Sequence, residues 1–486
     1  MGSPLQGRAA HQREAPRHTV IDQPDKTARL WWSLLAVVTL ARCIGAARLP
    51  LYSAEAYYWL WSHHLAAGYY DHPPMIAWTI WLSTAIFGTN EFAVRVPSLA
   101  GGLLTDLGVW YVALRLAGPR AAARAGLVVL ALPYFNVQSV IAFPDGPLLG
   151  FCALAVVCFV QDRYALGGIA LGLAFLSKFP AAFLGAGLFV WRPRESWRWV
   201  PLALLTASPF FMWNAQHHWV TFGYQLVHRS QVESHFVPGD FVDYLVMQCL
   251  ALSPILWFAM LIALWRVRRP NGLLFWPAAV PLLLFAGVSL THKVEPHWPL
   301  VAYLTGTVAL ALVAENSRNM SRTLDAGLVL AFFMTGLLVL VPIFPSLLFT
   351  FKHSPEGTAT TQIFAYPQLG GYLRDKAGDN LVFTGNNGIS SALEFYSKMP
   401  IHYYSSNLHG REYLDWEDYS ALRGRNAWYI EPGTPGEEQA QLLATLNDAF
   451  DHVGEPILLP IYWHGFVART FAIYPCSGFK GHGPPL

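Results

Sequence analysis

Apolar positions run in long blocks along the first two thirds of the chain, and short polar stretches punctuate them. A bilayer core takes about 20 apolar residues in helix, with a range of roughly 17–25. Counted that way, the blocks at 30–48, 93–117, 124–142, 146–161, 164–177, 180–191, 199–215, 243–265, 273–290, 298–314 and 324–350 predict about eleven transmembrane helices. The segment 75–88 is too short to span and follows Pro73-Pro74, so it reads as an interfacial or re-entrant helix. Tyr52–Pro74, dense in Tyr, Trp and His, reads as a segment lying at the membrane–water boundary.

After Lys352 the pattern changes. Short β-rich runs at Asn380–Thr384, Ile401–Tyr404, Ala427–Ile430, Ile457–Tyr462 and Phe471–Tyr474 alternate with helical patterns around Ser390–Tyr396 and Gly436–Phe450. The expected architecture is mainly α. A polar, disordered cytoplasmic tail (1–29) precedes a polytopic membrane bundle (30–350), and a small soluble α/β domain (351–486) follows.

Composition agrees with this reading. The 486 residues are 54% hydrophobic and only 13% charged, against about 25% charged in soluble domains. A net charge of +2 offers no basic stripe for nucleic acid. The five cysteines show no metal spacing and no disulfide framework. Every short connection predicted on the N-terminal side carries arginine: Arg115, Arg120 and Arg124; Arg163; Arg192, Arg194 and Arg198; Arg266, Arg268 and Arg269; Arg318 and Arg322. That bias marks the cytoplasmic side and places the C-terminal domain outside.

The opposite loops collect the chemistry. Glu55, Asp71, His72, Asp145, Arg229, Glu233, His292, Lys293, Glu295 and His297 all fall on the outer side, where ionisable groups beside membrane segments point to function. A carboxylate there can deprotonate an acceptor. Lys178, Arg229 and Lys293 are candidates, on charge and side, to hold a phosphate. Tyr57, Tyr58, Tyr69 and Tyr70, with Glu295 and His297, suit a sugar or acceptor surface. Each has a plainer reading: Asp145 as a helix cap, Lys178 snorkelling to the interface, Arg95 anchoring there, the 291–298 segment as a solvated loop.

The ordered series Glu55-Ala56-Tyr57-Tyr58-Trp59-Leu60-Trp61, Gly68-Tyr69-Tyr70-Asp71-His72-Pro73-Pro74, Glu91-Phe92-Ala93-Val94-Arg95-Val96-Pro97-Ser98, Pro144-Asp145, Leu176-Ser177-Lys178, Trp213-Asn214 and His297-Trp298-Pro299-Leu300 resembles the polyprenyl-phosphate-sugar-dependent glycosyltransferase superfamily. That group includes protein O-mannosyltransferases and the lipid A aminoarabinose transferase. The resemblance implies a GT-C fold and an inverting, metal-independent transfer without a cofactor. The donor is a sugar on a polyprenyl phosphate, and the acceptor a glycolipid such as lipid A, a polysaccharide or a protein. It implies the inner membrane of a bacterium, with the active site on the periplasmic side. By the same resemblance Asp145 matches a second acidic position and His72 a basic residue that meets the donor phosphate. Relatives commonly begin the first outer loop Asp-Glu, the Asp being taken as base. This chain has Ala54-Glu55, which leaves Glu55, Asp71 and Asp145 as the catalytic candidates. A non-catalytic lipid-binding relative and a lipid or sugar transporter are the alternatives.

Overall fold

The computed structural model describes residues 26–226, 238–340, 362–406, 410–436 and 439–484. The first part is helical: α1 (Lys26–Arg48), α2 (Ser53–Trp61), α3 (Met75–Phe87), α4 (Glu91–Ala131), α5 (Pro133–Gln138), α6 (Asp145–Val160), α7 (Tyr164–Ser177), α8 (Pro180–Trp191), α9 (Val200–Gln216), α10 (Val220–Leu226), α11 (Pro238–Leu252), α12 (Pro254–Val267), α13 (Gly272–Val288), α14 (Leu300–Glu315) and α15 (Arg318–Leu340). Helix α14 is apolar all round, and every residue from Leu300 to Leu310 is buried, as a helix at the centre of a bundle should be. Helices α1 and α15 instead turn large apolar side chains outward, among them Val37, Leu40, Val329 and Phe333, the composition of a lipid-facing surface.

The span count differs from the sequence expectation. Among the described residues, α1, α4 and α15 are long and apolar enough to cross a membrane. Six further apolar helices have 10–17 residues: α3, α6, α7, α8, α13 and α14. Blocks 93–117 and 124–142 are joined in α4, which bends at Gly118 (φ 86°) ahead of Pro119. Block 243–265 is broken: α11 and α12 meet at 103°, with Ser253 at φ 98° and Pro254 starting α12. Proline removes a backbone donor, and positive φ cannot continue a right-handed helix, so hydropathy alone misplaces these boundaries.

The C-terminal part is a mixed sheet with helices. Its elements are α16 (Ala365–Lys376), β1 (Leu381–Thr384), α17 (Asn387–Ser397), β2 (His402–Tyr403), α18 (Arg411–Trp416), β3 (Ala427–Pro432), α19 (Gln439–Ala449), β4 (Phe450–Val453), β5 (Ile457–Trp463) and β6 (Phe466–Phe479). The order is β2-β1-β3-β6-β4, with β5 also on β6. Strands β1, β2 and β3 are parallel, and β6 runs antiparallel to β3, Tyr429 opposite Tyr474. The β-rich runs read from the sequence each hold a strand; β4 is additional.

The structure adds protein contacts to the reading of Tyr52–Pro74. Every residue from Glu55 to Trp61 is buried. Leu51, Ala56, Trp61 and Ile76 share an apolar core with Tyr366, Leu369, Ile389 and Leu393 of the C-terminal part. The Tyr396 hydroxyl accepts from Leu51 N at 2.7 Å. Helix α2 is thus sandwiched between bundle and sheet domain, where its apolar area leaves water against protein.

Candidate active site

Helix α4 starts behind an Asn90 cap, whose side chain accepts from Ala93 N at 2.9 Å. That start holds Arg95 one turn into the helix with 0% exposure. Its Nε and Nη2 donate to the two oxygens of Glu55 at 2.7 and 2.6 Å. Nη1 donates to the carbonyls of Ala46 and Leu49, and Nη2 also to that of Pro50. All five guanidinium N–H groups are therefore used. Glu55 accepts two more bonds, from Ala142 N at 2.7 Å and Tyr52 N at 2.8 Å. This closed knot ties the end of α1, the start of α2, α4 and the segment before α6. Arg95, read from sequence as an interface anchor, is its centre.

Asp145 has a different environment. It is the first residue of α6, and the chain can place it there because α4 and α6 approach through glycines. A Cβ on Gly101 would stand 2.1 Å from Gly146 O, and one on Gly146 2.7 Å from Ser98 Cα. One carboxylate oxygen of Asp145 pairs with Lys178 Nζ at 2.7 Å, both side chains nearly inaccessible. The other oxygen is buried with no hydrogen-bond partner among the described residues. His297 and His72 act electrostatically on the same carboxylate. The His297 ring stacks over Tyr134 with centroids 6.4 Å apart, and Tyr134 feels both Asp145 and Glu295. Lys178 is thus not snorkelling, and Asp145 is not merely capping a helix. Four segments distant in sequence converge here: the turn before Pro73, the start of α6, the residue after α7, and the 291–298 segment.

The remaining sequence candidates are scattered around this cluster. Asp71 acts electrostatically on Tyr57 and Tyr70, and its carbonyl accepts from Gln225 Nε2 at 2.7 Å. Lys293 is exposed at the rim. Tyr58 meets His72 edge-on at 6.0 Å. Tyr69 stacks on Trp61 at 4.0 Å and donates to the carbonyls of Trp61 and His64, a rivet inside the loop rather than an open sugar platform. Arg229 and Glu233 lie outside the described residues. Gly68 lies so close to Trp213 that a Cβ would sit 2.4 Å from its ring. Asn214 and Thr221 then hold α10 to Tyr69.

One site-wall residue was missed. Glu412, on α18 of the C-terminal domain, is buried and accepts from the Tyr57 hydroxyl at 2.6 Å and Tyr70 N at 2.7 Å. Burial is the main cause that pushes its carboxyl up. Arg411 lies over the Tyr70 ring at 5.8 Å and Tyr413 stacks on Tyr57. No local signal marks Glu412, because its partners are more than three hundred residues away in sequence.

A family model described as dolichyl-phosphate-mannose-protein mannosyltransferase matches residues 71–213, the stretch that holds Asp71, His72, Asp145 and Lys178. The chain is 30% identical over 278 residues to the lipid A galacturonosyltransferase RgtD of Rhizobium johnstonii, covering 52% of this chain and 58% of that protein. It is 28% identical over 303 residues to the undecaprenyl phosphate-alpha-4-amino-4-deoxy-L-arabinose arabinosyl transferase of Edwardsiella ictaluri, covering 54% and 53%. The chain thus spans less than two thirds of either curated relative. Crystal structures of ArnT from Cupriavidus metallidurans superpose over 92% of this chain and 98% of that one. The TM-score is 0.62 for the apo state, at 15% identity, and 0.61 for the undecaprenyl phosphate complex, at 16%. The fold is the GT-C fold. The resemblance read from the motifs is borne out, and the small sheet domain is part of the matched architecture.

Proposed function

We propose that this chain is a membrane glycosyltransferase that moves a sugar from a polyprenyl phosphate to a glycolipid of the lipid A kind, on the periplasmic face of a bacterial inner membrane. The observation that carries the reading is Asp145: one oxygen held by Lys178, the other buried and unpartnered, with His72 and His297 beside it. A buried polar atom left without a partner is costly and rare, and a substrate hydroxyl or amine is the donor that would complete it. In the reaction, the acceptor donates its proton to Asp145, and its oxygen or nitrogen bonds to the anomeric carbon. The bond from that carbon to the phosphate oxygen breaks, and the electron pair leaves with polyprenyl phosphate. Attack opposite the leaving group inverts the anomeric centre. Lys178 and His72 meet the growing phosphate charge, with Arg229 and Lys293 proposed as further contacts. Asp71 is the second candidate base.

In this reading Glu55 is a positioning residue, because all its acceptor sites are engaged within the knot. The relatives' names support a galacturonic acid or an amino-pentose as the sugar, so both donor types belong in the assay. Metal independence is part of the proposal and is tested by adding EDTA. The full chain in nanodiscs should transfer sugar from one of these undecaprenyl-phosphate donors to a lipid A acceptor. Asp145→Asn should lower the rate by about 10²–10⁴, the usual worth of a positioned proton acceptor. An unchanged rate in both Asp145→Asn and Asp71→Asn would overturn the assignment. A second reading, a lipid-binding relative without transfer, is favoured by Ala54 standing where relatives carry Asp. Retained undecaprenyl phosphate binding with no transfer from either donor would support it.

A further inference from the structure

A line of buried polar groups crosses the bundle outside the Asp145 cluster. Gln248 stands in an apolar run of α11, Val246-Met247-Gln248-Cys249-Leu250, and is 0% exposed. A polar side chain costs free energy in such surroundings unless hydrogen bonds complete it. Two bonds do so here. Gln248 Oε1 accepts from the Tyr303 hydroxyl of α14 at 2.8 Å, and Nε2 donates to the Pro296 carbonyl at 3.2 Å. The Tyr303 hydroxyl, also buried, accepts in turn from Trp257 Nε1 of α12 at 3.1 Å.

The chemistry of these groups gives the line a direction. An indole N–H only donates, so it leaves the Tyr303 proton for Gln248. The amide oxygen must then face Tyr303, which turns the NH₂ toward the 291–298 segment. Gln248 and Trp257 lie on either side of the 103° break between α11 and α12, so Tyr303 clamps both arms of the bend to α14. At the other end, the Leu300 N–H, four residues past Pro296, goes to His297 O at 3.3 Å. The Pro296 carbonyl takes the Gln248 amide in place of an α-helical bond. The next residue is His297, which stacks over Tyr134 and acts on the Asp145 carboxylate. We infer that Trp257, Tyr303 and Gln248 form a positioning relay that fixes the 291–298 segment, and through it the place of His297 beside Asp145. The consequence for rate rests on the proposed transfer reaction; Gln248 itself is a positioning residue that acts through His297.

The test pairs hydrogen–deuterium exchange, read by mass spectrometry, with transfer kinetics on the full chain in nanodiscs. Gln248→Met keeps the length of the side chain and removes the amide. Exchange should quicken in peptides covering 291–300 and stay native within α6 and the interior of α14. With the undecaprenyl-phosphate donors, kcat should fall by about tenfold to a hundredfold, the scale expected of a displacement near 1 Å. The donor KM should stay near native, because Lys178 lies on another segment. Tyr303→Phe, which keeps the ring and frees the amide to turn, should reproduce both changes in weaker form. Native exchange at 291–300 in both variants would overturn the inference. So would faster exchange spread through α6 and α14, the mark of a general packing loss, or a loosened segment with native kcat. If the native chain transfers no sugar from either donor, the transfer reading fails by itself. The exchange comparison then decides the relay: local quickening supports it and native exchange overturns it.

Discussion

Replacing Glu55 by Gln separates a strut from a base. In the native structure the carboxylate accepts four bonds, two from Arg95 and two from the peptide N–H groups of Tyr52 and Ala142. An amide keeps one oxygen for two of those donors, and its NH₂ must face the other two, donor against donor. Arg95 then stays at 0% exposure with no counter-charge. Breaking a buried ion pair from one side costs about 3–5 kcal/mol. At about 1.4 kcal/mol per tenfold, the folded-to-unfolded ratio should fall by roughly two to four powers of ten. Tryptophan fluorescence during thermal unfolding of the full chain in nanodiscs reads this directly. Glu55→Asp, which keeps the charge on a shorter arm, should recover part of the loss. If Glu55→Gln unfolds like the native chain yet abolishes sugar transfer, Glu55 is the proton acceptor and the strut argument is wrong.

The Asp145–Lys178 pair should behave as a coupled unit: Lys178→Met strands a buried carboxylate at a cost of about 3–5 kcal/mol, and adding Asp145→Asn should return most of it. Additive losses in that double variant, by the same unfolding assay, would contradict the pairing. Gly101→Ala drives a methyl against Gly146 O, 2.1 Å away, so α4 and α6 must part. A loss of about 1–3 kcal/mol is expected, with transfer impaired because Asp145 adjoins Gly146; an unperturbed protein would show the helices are not locked there. Burial raises Glu394 to about 7 from 4.5. A raised folded-state value means its stabilising contribution is complete below about pH 4.5 and is lost as pH climbs through about 7, on the order of 3 kcal/mol in all. Glu394→Gln should therefore be more stable than the native chain at pH 8 and show a flatter profile. Identical unfolding profiles for the two between pH 4.5 and 8 would refute the shift.

Much of the candidate site was legible in the sequence. Asp145, His72, Lys178 and His297 stood out because charged groups beside apolar blocks are expensive, and the structure brings these four together. Glu55 stood out for the same reason, and the structure pairs it with Arg95. The sequence shows that a buried carboxylate must be paid for; it cannot show with which cation. Tyr69 similarly read as a sugar platform because it is aromatic and lies in the outer loop, while the structure folds it onto Trp61. Glu412 carried no signal at all, since a lone acid in a soluble helix is ordinarily solvated.

The sequence by itself determined the class of molecule and its two-part architecture. Hydropathy over 20-residue windows and strand alternation over four to seven residues are local properties, and local physics sets them. It also showed arginine-bearing connections alternating with connections rich in His, Asp and Glu. The tertiary structure alone decided where helices break, as at Gly118 and Ser253, and that Glu55–Trp61 is buried in a core shared with the sheet domain. It alone decided which carboxylate is sealed and which has an oxygen to spare. Those outcomes depend on contacts between residues tens to hundreds of positions apart, such as Glu55 with Arg95, Asp145 with Lys178 and Tyr57 with Glu412. No window along the chain contains both partners of any of them.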